Sequence, residues 1–192
     1  MLDEGMIDEK TAIMRVEPNK LDELLHPVFD EEAYQDAEIM TKGLPASPGA
    51  ATGRVVFFAD EAEEWAEKGE EVILARVETS PEDVAGMNAA NGIMTARGGM
   101  TSHAAVVARG MGKCCVAGAG EVEIDYHDRV MKINDYEIKE GEWISLSGNT
   151  GAVIKGKVKT VDPEISGDFR KIEELADKYR KLGIRTNADT PE

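Results

Sequence analysis

Positive charge is what this chain has too little of. Against 38 acidic residues stand 22 lysines and arginines, a net of −16 over 192 residues. A surface of that sign repels phosphate backbones and anionic lipid, so nucleic acid and membrane surfaces are excluded as partners. Long apolar runs are missing as well. No stretch approaches the roughly 18 residues of a bilayer span, and no secretory leader is visible, so a cytoplasmic protein is expected.

Cysteine is scarce: Cys114 and Cys115 are the two present, and they are adjacent. Neighbouring residues close a bridge only with strain and lack the spacing of metal ligands. They are expected to be small apolar side chains in a buried strand, in a reducing compartment. Histidine occurs three times. His26, in "LLHP", reads as a helix end and His127, in "DYHD", as a turn. With no ligand spacing among them, no metal site is expected.

The most informative absence is local. Residues 84–120 contain no carboxylate, yet carry Arg97, Arg109 and Lys113, a segment of +3 inside an acidic chain. A buried, acid-poor core would produce this. So would an anion-handling face on an otherwise acidic body.

Around that segment the chain alternates. Residues 1–42 are acidic and helical in pattern, with Leu21, Leu24, Leu25 and Val28 at helical spacing and Pro27 placed to end the helix. "GLPASPGAATG", from Gly43, breaks the composition and marks entry to the main domain, expected over 43–155. "RVVFF", "EVILARV", "GIMTA", "CCVAG", "RVMKIN", "YEIKE" and "WISLSG" read as strands. "ADEAEEWAEKG" and "PEDVAGMNAA" read as helices, the latter with Pro81 in its first turn. The pattern suggests a mixed α/β domain with β-rich layers. Residues 156–192 read as a C-terminal linker with one helix, capped by Ser166 or Asp168 and stopped by Gly183. "IRTNADTPE" then begins something it does not finish, so a piece of a longer protein is expected. No internal repeat or low-complexity tract is present.

"RGGMTSHAAVVARG" is a strand-loop-helix unit. Thr101 or Ser102 is placed to cap the helix and Gly110 to end it, which sets His103 in the first turn. The positive end of a helix dipole disfavours imidazolium and leaves neutral imidazole, the nucleophilic form. Free N–H groups there also favour a bound anion such as a phosphoryl group. Gly98 and Gly99 let the backbone approach without side-chain obstruction. A histidine so placed is suited to attack phosphorus and carry the group covalently. General-base and structural roles are the alternatives that the residues alone leave open.

"GGMTSHAAVVARGMGKCCVAG" resembles the phosphohistidine signature of the phosphoenolpyruvate-utilising enzymes, most closely its dikinase branch. The synthase branch and the first enzyme of the sugar phosphotransferase system have similar motifs but usually carry Arg where this chain has Met100, and they lack the vicinal cysteines. "GLPASPGAATGRVVF" resembles the same family's domain entry, and "IRTNADTPE" the start of the dikinase barrel. The resemblance implies a swivelling β/β/α phosphohistidine domain with flanking helical linkers. It implies His103 as the catalytic carrier, supported by Arg97, Gly98, Gly99, Thr101 and Ser102. Thr101 matches the threonine that a regulatory protein phosphorylates in plant members. The carrier would move between an ATP-grasp domain and a (β/α)8 pyruvate domain of the same chain. No cofactor is implied in this domain, while Mg2+, a monovalent cation and a homodimer are implied for the parent enzyme. The rival from another class is a non-catalytic docking module of the same fold.

Overall fold

The computed structural model describes residues 2, 4–163 and 167–183. The chain divides into one unit of residues 22–163 and a smaller one drawn from its two ends, 1–21 and 164–192. The elements begin with α1 (Glu9–Arg15), α2 (Pro18–Glu23), β1 (Val28–Phe29), α3 (Glu31–Gln35), β2 (Ile39–Lys42) and β3 (Leu44–Ser47). Next come β4 (Ala50–Val56), α4 (Ala59–Glu67), β5 (Val72–Arg76), a 3-10 turn (Pro81–Asp83), α5 (Val84–Ala89) and β6 (Gly92–Thr95). Then follow α6 (His103–Gly110), β7 (Cys114–Ala117), β8 (Val122–Asp125), β9 (Val130–Ile133) and β10 (Tyr136–Lys139). The last are β11 (Trp143–Ser147), β12 (Ala152–Lys155), β13 (Thr160–Val161) and α7 (Gly167–Tyr179).

An eight-stranded sheet in the order β2-β12-β11-β4-β5-β6-β7-β3 forms the centre of the larger unit. Four consecutive strands, β4 to β7, are parallel neighbours. They are apolar on both faces, as buried parallel strands must be. Strand alternation then sorts the side chains. Ile73, Ala75, Met94, Cys114 and Val116 enter one core, and Val72, Leu74, Ile93, Cys115 and Ala117 the other. The first core is closed by the antiparallel sheet β8-β9-β10 through Val122, Met131, Ile133 and Ile138. The second is closed by α4, α5 and α6 through Ala62, Met87, Ala104, Ala105 and Ala108. Small sheet, large sheet and helices make the expected β/β/α layers. Each fully buried side chain such as Leu74 or Ile93 contributes about 1.5–3 kcal/mol to that packing.

The boundaries differ from those expected. Residues 28–42 are not a linker: β2 is an edge strand, with Thr41 opposite Val153. Phe29, Ala33, Tyr34 and Ala37 pack on Ala152, Ile154 and Val158, and the Phe29 and Tyr34 rings stack 5.4 Å apart. β1 pairs antiparallel with β13, so residues after Lys155 also stay with the domain. Strands of two and four residues are too short to show a period of two. Pro27 does follow the end of α2, which stops at Glu23. Gly110 remains helical, and Gly112, at φ 64°, takes the left-handed position after α6. α7 ends at Tyr179, before Gly183. The expected cap Ser166 and the side chain of Asp168 lie outside what is described, as does "IRTNADTPE". Among the described residues no helix is long and apolar enough to cross a membrane.

Candidate functional site

The carboxyl ends of β5 and β6 feed two loops that are locked together at their base. Ala96 N–H donates to the Arg76 carbonyl at 3.0 Å and Arg97 N–H to the Val77 carbonyl at 2.9 Å. The crevice outside the carboxyl ends of parallel strands is where α/β sheets bind ligands. The β6 loop, residues 96–102, leads directly into α6.

His103 is the first residue of α6, and Ser102 is its N-cap, extended at φ −64° and ψ 160°. The Ser102 hydroxyl accepts from Ala105 N–H at 3.4 Å, while Thr101 is exposed. The His103 ring is half-buried, and its Nδ1 lies 3.0 Å from the Thr79 hydroxyl oxygen. In the tautomer that donates Nδ1–H to that oxygen, Nε2 keeps its lone pair; the hydrogen bond made by one ring nitrogen sets the role of the other. Thr79, on the β5 loop, was not among the candidates read from the sequence. It stands 24 residues away in a stretch that reads as a strand end before Pro81, and nothing local marks it.

The two loop glycines have different tasks. Gly98 takes φ 112°, and a Cβ there would sit 2.9 Å from Ser102 Cβ. Gly99 has no such angle, and a Cβ there would meet nothing within 4 Å. The residue that makes room for the loop is Gly118, where a Cβ would come within 2.4 Å of the Gly98 carbonyl oxygen.

The cations of the acid-free segment do not form one face. Arg97 is exposed on the loop and makes no ion pair among the described residues. Arg109 braces the loop from α6: its Nε donates to the Ala105 carbonyl at 3.0 Å and its guanidinium also reaches the Met100 carbonyl. Lys113 lies beyond the other end of the helix, where burial pushes its pKa down. With His26 and Asn91 it lines a separate cavity of about 410 Å³. His127 sits exposed in a turn, its Nδ1 2.8 Å from Asp128. Cys114 and Cys115 are free and buried, and burial pushes both thiols up to about 12. Among the described residues no group of three or more His, Cys, Asp and Glu is placed to hold a metal ion.

A three-layered domain that presents a half-buried histidine at a helix start, behind a glycine loop, defines a class. Residues 68–151 match the family model described as PEP-utilising enzyme, mobile domain. That stretch holds Thr79, the loop 96–102 and His103, so the likeness to that mobile domain falls on the residues that build the site. The chain's relatives are more specific. Over all 192 residues it is 55% identical to pyruvate, phosphate dikinase of Clostridium symbiosum, of which it covers 22%. It is 55% identical to the chloroplastic pyruvate, phosphate dikinase 1 of Arabidopsis thaliana and 57% to the chloroplastic enzyme of Mesembryanthemum crystallinum, covering 20% of each. The chain thus spans about a fifth of the length of these curated relatives.

Proposed function

We propose that this chain is the phosphoryl-carrier part of a pyruvate, phosphate dikinase and that His103 is the carrier. The contact between the Thr79 hydroxyl and Nδ1, which leaves the Nε2 lone pair free in the tautomer that donates Nδ1–H, is the observation that supports this best. Nε2 attacks the β-phosphorus of ATP, the bond to the bridging oxygen breaks, and AMP leaves. Inorganic phosphate then takes the terminal phosphoryl group as pyrophosphate. The enolate oxygen of pyruvate takes the remaining one, the N–P bond breaks, and phosphoenolpyruvate forms; every step is reversible. The free N–H groups at the start of α6 and the exposed Arg97 face the charge of the cargo. Gly98, Gly99 and Ser102 shape that cradle. Thr101, exposed beside it, is the position a regulatory kinase would reach.

The rest of the machinery is assigned to the parent enzyme: an ATP-grasp domain, a (β/α)8 domain for pyruvate, Mg2+ and a monovalent cation, in a homodimer. The two reduced cysteines fit a cytoplasmic setting. The full-length enzyme incubated with phosphoenolpyruvate alone is expected to gain one acid-labile phosphoryl group on the peptide containing His103, and His103→Asn to gain none. No gain in the wild type would make the domain a docking module instead. ATP consumption independent of inorganic phosphate would make the parent a phosphoenolpyruvate synthase.

A further inference from the structure

Behind Thr79 lies a buried charged network that neither the motif nor the family comparison assigns to anything. Asp83 is only 5% exposed, and its Oδ2 accepts from the Ser80 N–H at 2.8 Å and from the Ser80 hydroxyl at 3.3 Å. Its Oδ1 lies 3.3 Å from Arg76 Nη2. The same guanidinium donates through Nη1 to the Phe57 carbonyl at 3.0 Å and stacks 5.3 Å from the centre of the Tyr126 ring. The Tyr126 hydroxyl accepts from Val77 N–H at 2.9 Å. Residues 77 and 80 are therefore both pinned, and Thr79 is held between them.

This network is an expensive way to stabilise a fold. Taking the Asp83 carboxylate and much of the Arg76 side chain out of water is unfavourable until pairing offsets it, and Arg76 Nε stays buried without a partner. Apolar side chains would serve packing at less cost. What the ion pair does supply is a fixed geometry for one turn. Thr79 has a rotatable hydroxyl on an exposed-side loop, and it meets His103 Nδ1 in one orientation only when its backbone is held.

We propose that Asp83 and Arg76 are positioning residues for the carrier histidine, acting through Thr79 on its tautomer and ring orientation. The proposal rests on the reading of His103 as the carrier. It assigns a functional task to Asp83, the last carboxylate before the acid-free segment. The paired charge of Arg76 lets a carboxylate sit four residues from Thr79, the partner of His103, without repelling the cargo.

The test is a double-mutant cycle in the full-length enzyme, which reads the rate at which phosphoenolpyruvate alone phosphorylates His103. Asp83→Asn keeps an acceptor for Ser80 but removes the charge facing Arg76. It is expected to slow phosphorylation about tenfold at saturating phosphoenolpyruvate, with the half-saturating concentration unchanged. Thr79→Ala is expected to slow it at least as much, and Asp83→Asn added to Thr79→Ala to slow it no further. Multiplying effects in the double variant, or a wild-type rate in Asp83→Asn, overturn the proposal. If Asp83→Asn does not fold, Arg76→Lys is carried through the same cycle with the same criteria. Absence of any phosphohistidine in the wild type defeats the carrier reading itself, which keeps the two failures apart.

Discussion

Gly98 and Gly99 are adjacent and chemically identical, yet their substitution is expected to fail in different ways. At Gly98 the backbone is at φ 112° and Ser102 stands where a Cβ would go. Gly98→Ala is therefore expected to lower stability by about 1–3 kcal/mol, read as a fall in melting temperature. Gly99 opens on empty space. Gly99→Val is expected to melt close to the wild type while phosphoryl transfer falls about tenfold or more, because the branched side chain occupies room that the cargo needs. Unimpaired transfer in a folded Gly99→Val protein would show that the cargo does not approach there. The buried thiols make a third residue-level test. Cys114 and Cys115 ionise near 9 when unfolded and near 12 when folded, because burial disfavours thiolate. Their contribution is complete below about pH 9 and is lost as pH rises toward 12, since only the unfolded chain releases the protons. The melting temperature is expected to fall between pH 9 and pH 11, and to fall less steeply in Cys115→Ala.

At the scale of elements, the site is one loop-helix junction pressed against two further loops, those after β5 and β7. Ser102→Ala removes the cap of α6 and is expected to cost about 0.5–1 kcal/mol, the lower part of the usual range because its bond to Ala105 is long at 3.4 Å. Gly118→Ala acts from β7's far end: its φ of 65° and the Gly98 carbonyl 2.4 Å from the new Cβ would force the glycine loop outward. It is expected to reduce His103 phosphorylation more than Ser102→Ala does, although it lies 15 residues from the histidine in sequence. This contrast marks what the sequence makes legible. A cap, a glycine pair and a histidine at helical offsets are local signals, and the structure places them in one loop and its helix. Thr79, Asp83 and Gly118 reach the site through parallel strand order, which no local pattern encodes. The central strands were legible because both of their faces are apolar. β2 and β1 were not, because they are short edges whose neighbours, β12 and β13, come more than a hundred residues later.

For the whole molecule, the proposed function requires one histidine to serve two chemical centres, and the carrier then has to move. The β1-β13 ladder puts the incoming and outgoing chain side by side, with Val28 opposite Val161 and Phe29 opposite Thr160. The body that carries His103 therefore extends past the 43–155 core to those strands, and a rotation of the whole carrier has to be absorbed outside them. Hinges of this kind use a few residues at element ends and turn over in microseconds to milliseconds, fast enough for ordinary catalysis. A cysteine at Val106, 56% exposed and three residues beyond His103 on α6, offers a handle for holding the carrier in one place. Joined by a disulfide to the nucleotide-binding domain of the parent enzyme, it is expected to preserve the exchange of ATP and phosphate with AMP and pyrophosphate. The same tether is expected to abolish exchange between pyruvate and phosphoenolpyruvate, and reduction is expected to restore it. Both exchanges surviving a confirmed tether would mean that the carrier does not travel, and that the two centres share His103 in a single arrangement.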